Sequence, residues 1–450
     1  MASSAYIIGV GITPVGKLNR SPYDLMFEAL NKALNDANNT GGNSGVNMSD
    51  IDSIVSMPCF GDFRAMTAHH FATQYELFSD ENGRKRALHV KTIDCGGATP
   101  IAALIEAKDS IECGRFDCVA VVCADIIASI PIETMLKQYA SVIGYEEFKK
   151  KKQTEIGQKP IIPYLYSEVT EWHMKTYGTR REQFAMAAAL MHHQGRCNSY
   201  QTGSEKSTSI ETVDSILSSK PVTSYLTQKE CARRSDTGVA LLVVSDAFMQ
   251  HRPILKQRAV EIVGSGLGSG PLYTTDRQPM DKNRFSLAFA AKTALAEAKL
   301  SISEIDWYGL YDCFPVCFIK AMEDIGLCDE GKGGKLMQLL YEKLTSIQQD
   351  IPFNINLTSI DPRSKHLFTK KVIPINTHGG LMGLSAPGDV PAAITVVEAV
   401  RQIRNEAFGP MQLPNVGTAF IYGNGGIFSA SAVIILQSAS KNKSSMTSKL

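Results

Sequence analysis

No apolar run in this 450-residue chain reaches the roughly 18 to 20 residues that cross a bilayer, so no membrane-spanning helix is expected. An excess of one charge is missing as well. Against 46 lysines and arginines stand 45 acids, and a formal net charge of +1 offers no field to gather nucleic acid or an anionic membrane. Lys149 to Lys152 form the one basic run and read as a solvated loop. A hydrophobic signal segment is also lacking, so the ten cysteines read as reduced intracellular thiols and not as a disulfide framework. Cys313 and Cys317 stand one helical turn apart, but no second Cys or His pair at zinc-finger spacing accompanies them, and no metal is expected.

What is present is ordinary globular material, 44% hydrophobic and 20% charged, long enough for two or more domains. It contains one plan twice. Ile7-Ile8-Gly9-Val10-Gly11 and Ile262-Val263-Gly264-Ser265-Gly266 both read as buried strands ending in glycines. The predicted helices that follow, Ala29 to Ala37 and Ala290 to Ala298, carry alanines at the same four-residue spacing. Ser49-Asp50-Ile51-Asp52 and Ser303-Glu304-Ile305-Asp306 then lead into matching strands, which end at Met57-Pro58-Cys59-Phe60 and Tyr311-Asp312-Cys313-Phe314. A repeat this long indicates duplicated α/β domains, not a solenoid. Phe116 to Cys123 and Ser235 to Val244 read as further strands of the first half, and residues from about Pro131 to Ser219 read as an insertion between them.

Tyr311-Asp312-Cys313-Phe314 sits where a strand turns into a helix, the kind of corner from which side chains of α/β folds reach a ligand crevice. Together with the tract Asp329-Glu330-Gly331-Lys332-Gly333-Gly334 and the segment His173 to Ala185, it resembles the sterol-carrier-protein type of thiolase, which carries His-Asp-Cys-Phe at this corner. Within that segment Thr179 is the expected helix N-cap, with Glu182 at the capping-box position. The resemblance implies a thiolase fold: two duplicated βαβ-rich halves in a layered α/β/α/β/α arrangement with an inserted loop domain. The expected boundaries are 1–130 with 220–252 for the N-terminal half, 131–219 for the loop domain over the coenzyme A site, 253–438 for the C-terminal half and 439–450 for a polar tail. The chain ends soon after its last predicted strand, so no sterol-carrier domain is expected to follow.

Thiolases use a nucleophilic cysteine, a second cysteine that moves a proton, and two oxyanion holes. The resemblance puts the nucleophile in Asp94-Cys95-Gly96-Gly97-Ala98-Thr99-Pro100, with Gly96 at the family position and Cys95 one residue early. Thr99 as N-cap and Pro100 as first helical residue would leave Cys95 short of the helix dipole, so Cys95 reads either as a nucleophile or as a near-miss thiol. In Asn376-Thr377-His378-Gly379-Gly380, followed by Ala386-Pro387, the family's catalytic histidine is replaced by Ala386; His378 reads as a substitute for it or as a turn histidine. His192 and His193 read as surface or core residues. The Gly-rich segment Ile421 to Ala430 puts Tyr422 where biosynthetic thiolases have a cysteine, and its Gly423, Gly425 and Gly426 would let backbone N–H groups approach a thioester.

The expected catalytic set is therefore Cys313, Cys95, Tyr311, Asn376 and His378, with Gly96, Ala386, Tyr422, Gly423, Gly425 and Gly426 on the substrate. Acyl-CoA thioesters are the expected ligands, coenzyme A entering as part of the substrate with no tightly bound cofactor, and a homodimer is implied by the resemblance. The expected activity is weak carbon–carbon chemistry of the malonyl-CoA decarboxylation or residual thiolase kind; a non-catalytic CoA-ester sensor or scaffold is the alternative. Ser448-Lys449-Leu450 matches the tripeptide read by the peroxisomal import receptor, while Lys17 and Arg20 ahead of the first acid leave mitochondrial import as the alternative.

Overall fold

The computed structural model describes residues 3–40, 44–80, 82–142, 144, 160–196, 198, 200, 211–273, 280, 285–348 and 360–439. The Lys149 to Lys152 run and the C-terminal Ser448-Lys449-Leu450 lie outside them.

The first half opens with β1 (Ala5–Ile12) and α1 (Pro22–Asn38). Helix α1 starts cleanly because Pro22 supplies a helical φ and the Ser21 hydroxyl accepts the Tyr23 N–H at 3.2 Å. Strands β2 (Ser53–Ser56), β3 (His89–Thr92), β4 (Cys118–Ile126) and β5 (Asp236–Ser245) follow, with α2 (Thr67–Gln74) before β3 and α3 (Thr99–Glu112) after it. Between β4 and β5 the chain forms α4 (Ile132–Val142), α5 (Ile161–Tyr177) and α6 (Arg181–Gly195). Despite that excursion β4 and β5 pair antiparallel along their length, from Cys118 with Val244 to Ile126 with Asp236.

The second half repeats the plan with β6 (Val260–Ser269), α7 (Leu287–Ala298), β7 (Trp307–Gly309), α8 (Pro315–Asp324), α9 (Gly333–Gln348), α10 (Pro391–Arg404), β8 (Thr418–Gly425) and β9 (Ala430–Ser438). Among the described residues the strands form one mixed sheet in the order β3-β2-β4-β5-β1-β6-β9-β8-β7, so the second half mirrors the first across β1 and β6. These two strands join through only Tyr6 with Glu261 and Ile7 with Val260. A place matching β3 exists beside β7, where Ile375 makes a single parallel bridge to Tyr308.

The duplication reaches single atoms. A β-carbon on Gly9 would stand 2.2 Å from the Ala33 carbonyl oxygen, and one on Gly264 would stand 2.3 Å from that of Ala294. Gly11 meets Ala29 and Gly266 meets Ala290 in the same way, each at 2.0 Å. Both strands also shift register just before the first of these glycines. Glycine here is a packing requirement, because α1 and α7 lie directly on the strand backbone.

Alternation along the strands fixes the layers. Val119, Val121, Leu241 and Val243 join the core around α3, while Ala120, Val122, Leu242 and Val244 join the one around α1. Helix α3 touches β4 and β5 of the first half and β8 and β9 of the second, and α10 reaches β8, β7 and β1. The two sheet halves thus close over a central helix layer, with α1 and α7 outside.

Three local expectations shift. Thr99 lies inside the first turn of α3, with Ala98 as cap; its hydroxyl turns back to accept the Cys95 N–H at 2.7 Å and donates to the Gly96 carbonyl at 2.6 Å. Thr179 is not a cap either, because its hydroxyl is held by His173 at 2.9 Å. Helix α6 starts one residue later, with the Gln183 side chain accepting the Arg180 N–H at 3.0 Å. Finally, β8 runs through Gly425, so Tyr422, Gly423 and Gly425 belong to a strand and not to a turn.

Candidate active site

Where the central helix layer meets α4 and α5, a cavity of about 360 Å³ opens, with a mainly apolar wall that includes Ile127, Met135, Ile161 and Phe314. Gly96, Gly97, Tyr311, Cys313, Ala386 and Gly426 bring its polar chemistry. Four separate parts of the sequence therefore converge on one space.

The corner after β7 is anchored by its own acid. Asp312 is fully buried and accepts the Leu381 N–H at 2.8 Å and the Met382 N–H at 3.2 Å, which ties the corner to the π-turn Gly380–Leu384. Burial pushes its carboxyl up to about 7 against the pull of these backbone donors. With Asp312 turned inward, its neighbours Tyr311 and Cys313 face the cavity. Cys313 Sγ lies 3.3 Å from the buried Cys317 Sγ one turn along α8. The Tyr311 phenol is held well above its ordinary range, first by burial and then by the neighbouring Cys313, Asp389 and Tyr139, so it is a neutral donor.

The loop before α3 supplies backbone and no side chain. A β-carbon on Gly97 would stand 2.2 Å from Tyr311 Oη, so the phenol fills the space that a side chain there would take. Gly96 has φ +58° and faces the backbone of Gly425 and Gly426. Cys95 is exposed and opens into a second cavity of about 420 Å³, shared with Phe63, Met66 and Leu272. Burial of its sulfur and the Asp94 carboxylate push the Cys95 thiol up, the opposite of an activated nucleophile.

Other expected residues serve the frame. Asn376, at φ +47°, spends its amide on the frame, accepting the Leu310 N–H at 2.8 Å and donating to the Leu310 carbonyl at 2.7 Å and to Met191 Sδ at 3.6 Å. It positions the corner and lines neither cavity. His378 is buried, with Nε2 3.3 Å from Thr395 Oγ1, and burial lowers it to about 3. It too lies outside both walls. Tyr422 is 1% exposed in the core, and Gly423 packs against Ala98; neither reaches the main cavity. Gly425 faces the second cavity, while Gly426 borders both.

The excursion after β4 closes the site. Tyr166 on α5 donates to the Gly426 carbonyl at 2.8 Å, accepts from Asn424 Nδ2 at 2.8 Å and lies against Phe314 with ring centroids 4.7 Å apart. On its far side the Gly-rich tract fits α9 to α5 and α6, Gly331 against Tyr177 and Gly334 against Thr179 and Gln183. His192 and His193 are spent locally, on the Lys229 carbonyl and on Arg196.

Residues 274–356 and 363–438 match the family of thiolase C-terminal domain-like sequences. The sterol carrier protein 2 of Bos taurus is 25% identical over 439 residues, 94% of this chain and 70% of the relative. The chain has a thiolase-like fold. An acetyl-CoA acetyltransferase of Methanothermobacter thermautotrophicus is 28% identical over 284 residues, 63% of this chain and 65% of the relative. Among solved structures, the Ltp2-ChsH2(DUF35) aldolase superposes with a TM-score of 0.70 at 20% identity, covering 97% of this chain and 98% of that one. The fold is thus the thiolase-like one, carried by a mixed nine-stranded sheet.

Two site residues escape a reading of the sequence. Tyr166 gives no signal beyond its place in an amphipathic helix. Asp389, which borders both cavities, follows Pro387-Gly388 and reads as a turn acid. Its place three residues after Ala386, where the resemblance puts a catalytic histidine, is the signal that could have found it.

Proposed function

We propose that this thiolase-like protein binds a CoA thioester in the main cavity and breaks or makes the carbon–carbon bond beside the thioester carbonyl through an enolate, without an acyl-enzyme. One observation carries this reading: only glycine backbone stands at the α3 entrance to the cavity, and Cys95 opens elsewhere. Bond cleavage sends its electron pair toward the thioester carbonyl. The neutral Tyr311 phenol donates to the oxygen that gains charge, and the Cys313 thiol delivers a proton to the α-carbon. Decarboxylation of a malonyl-type thioester needs no more than this. The names of the relatives, an acetyltransferase and an aldolase, support carbon–carbon chemistry at this position in the fold.

The test is turnover of malonyl-CoA and acetoacetyl-CoA followed by product analysis and intact-protein mass, with Cys313→Ala and Tyr311→Phe as controls. Product without a covalent adduct supports the enolate route. An acyl group on Cys95 that vanishes in Cys95→Ala overturns it, and saturable binding without any product makes the protein a CoA-ester binder. A homodimer and peroxisomal import through Ser448, Lys449 and Leu450 belong to the same proposal.

A further inference from the structure

The carboxyls around the site are used in two different ways. Asp125 accepts N–H groups of Phe60, Gly61 and Ile126 at 2.7 to 3.0 Å. Asp236 holds those of Leu18 and Ala128, and Asp312 those of Leu381 and Met382. Each of these acids is spent on the fold. Asp389 has no hydrogen-bond donor among the described residues, and it is the only acid among those that line the main cavity. Asp389 is half-buried at the cavity wall, so its carboxyl, unlike the other three, is left free to meet a ligand.

Its placement is enforced. Gly388 precedes it at φ +53°, and a β-carbon there would stand 1.8 Å from Asp125 Oδ2, so only glycine lets the turn pass. Helix α10 begins at Pro391, two residues on. Asp389 is thereby held at the boundary of both cavities, next to Gly96 and Gly426. The groups that face this space are Tyr311 from the β7 corner, Tyr139 from α4, Asp125 from β4, Asp94 from the loop after β3 and the thiol of Cys313. Arg234 enters the main cavity and Arg64 the second. Burial first, then the Asp125 and Asp94 carboxylates, push Asp389 well above the ordinary carboxyl range.

We propose that Asp389 is a catalytic residue that takes and returns the proton of a β-hydroxyl group, which extends the substrate class from malonyl-type to β-hydroxyacyl thioesters. The proposal rests on the enolate reading above and adds the base that decarboxylation does not need. The ionised carboxylate removes the hydroxyl proton and the β-carbon becomes a carbonyl. The bond between the α- and β-carbons breaks, and its electron pair forms the thioester enolate, with Tyr311 donating to the oxygen. Protonation of the α-carbon then yields a shortened acyl thioester and an aldehyde or ketone. No oxidant or reductant is consumed. Run backward, the same acid protonates the new alkoxide.

The experiment compares the full-length protein with Asp389→Asn and Asp389→Glu on a straight-chain 3-hydroxyacyl-CoA between pH 5 and 9, with thioester binding measured in parallel. Cleavage should fall roughly 100-fold or more in the Asn variant, lose its rise with pH and keep its binding constant, while Glu recovers part of the rate. An Asn variant with the parent's rate and pH profile overturns the proposal. If the parent protein makes no product from either 3-hydroxyacyl-CoA or malonyl-CoA, the enolate reading fails. Infrared spectra then decide on Asp389 separately. A protonated carboxyl band lost in Asp389→Asn and displaced by bound thioester upholds its contact with the ligand; a band unmoved by the thioester, or absent, rejects it.

Discussion

Cys59 and Cys313 occupy the same place in the two halves, each followed by Phe at the end of a duplicated strand, yet they meet different fates. Cys59 is sealed in, 1% exposed, its thiol donating to Asp125 at 3.4 Å, and burial with that carboxylate raises it far above the thiol range. Cys313 stands in a cavity wall. The difference lies in which acid ties down the corner. In the first half the acid comes from β4, reaches across to the backbone of Phe60 and Gly61, and takes the thiol with it. In the second half the acid is Asp312, inside the motif, and it points away toward Leu381 and Met382. A shift of one carboxyl from the neighbouring strand into the corner itself frees the cysteine for chemistry.

The comparison breaks most strongly at Asp312. Asp312→Ala leaves two buried N–H groups unpaired and should lower stability by about 2 to 5 kcal/mol, read as a fall in the urea midpoint. The variant also tests linkage. A carboxyl raised to about 7 in the folded protein stays protonated there between about pH 4 and 7 while the unfolded chain ionises, so its contribution to stability is lost as pH rises through that window. Asp312→Ala should show a shallower decline of stability from pH 4 to 7 than the parent. Next comes the exchange of effects between the two cysteines. Cys313→Ala should cut turnover of a thioester roughly 100-fold with little change in melting temperature, whereas Cys59→Ala should leave turnover intact and cost about 1 to 3 kcal/mol. Equal effects of the two on either readout would remove the distinction. The smallest expected effect is that of Cys95→Ala, which should change neither turnover nor the intact mass after exposure to acetyl-CoA.

Features enforced by close packing were legible in the sequence. The glycines at 9, 11, 264 and 266 announce the duplication because a helix rests on each strand, and the corner at Cys313 shows in its flanking strand and Pro315. Direction was not legible. Asn376 and His378 have the composition of an active-site turn, but one amide is consumed by Leu310 and the imidazole points into the core toward Thr395. Tyr422 falls on the buried face of β8, a position that hangs on where the strand stops. Asp389 is not legible because what sets it apart is the lack of a hydrogen-bond donor among the described residues, and a sequence does not record who fails to reach a side chain.

The pairing of β4 with β5 has a further consequence, in time. A chain made from its N-terminus completes β1 to β4 early, but β4 then waits for β5 while the whole helical excursion is synthesised. At a few to twenty residues per second, the stretch from Ile126 to Asp236 holds that edge open for roughly 5 to 20 seconds. During that interval an apolar strand with unpaired N–H and C=O groups is exposed to any other chain nearby. The segment that closes the active site in the finished protein is thus also what delays the closing of its first sheet, and crowding on the ribosome becomes a condition under which this fold is put at risk.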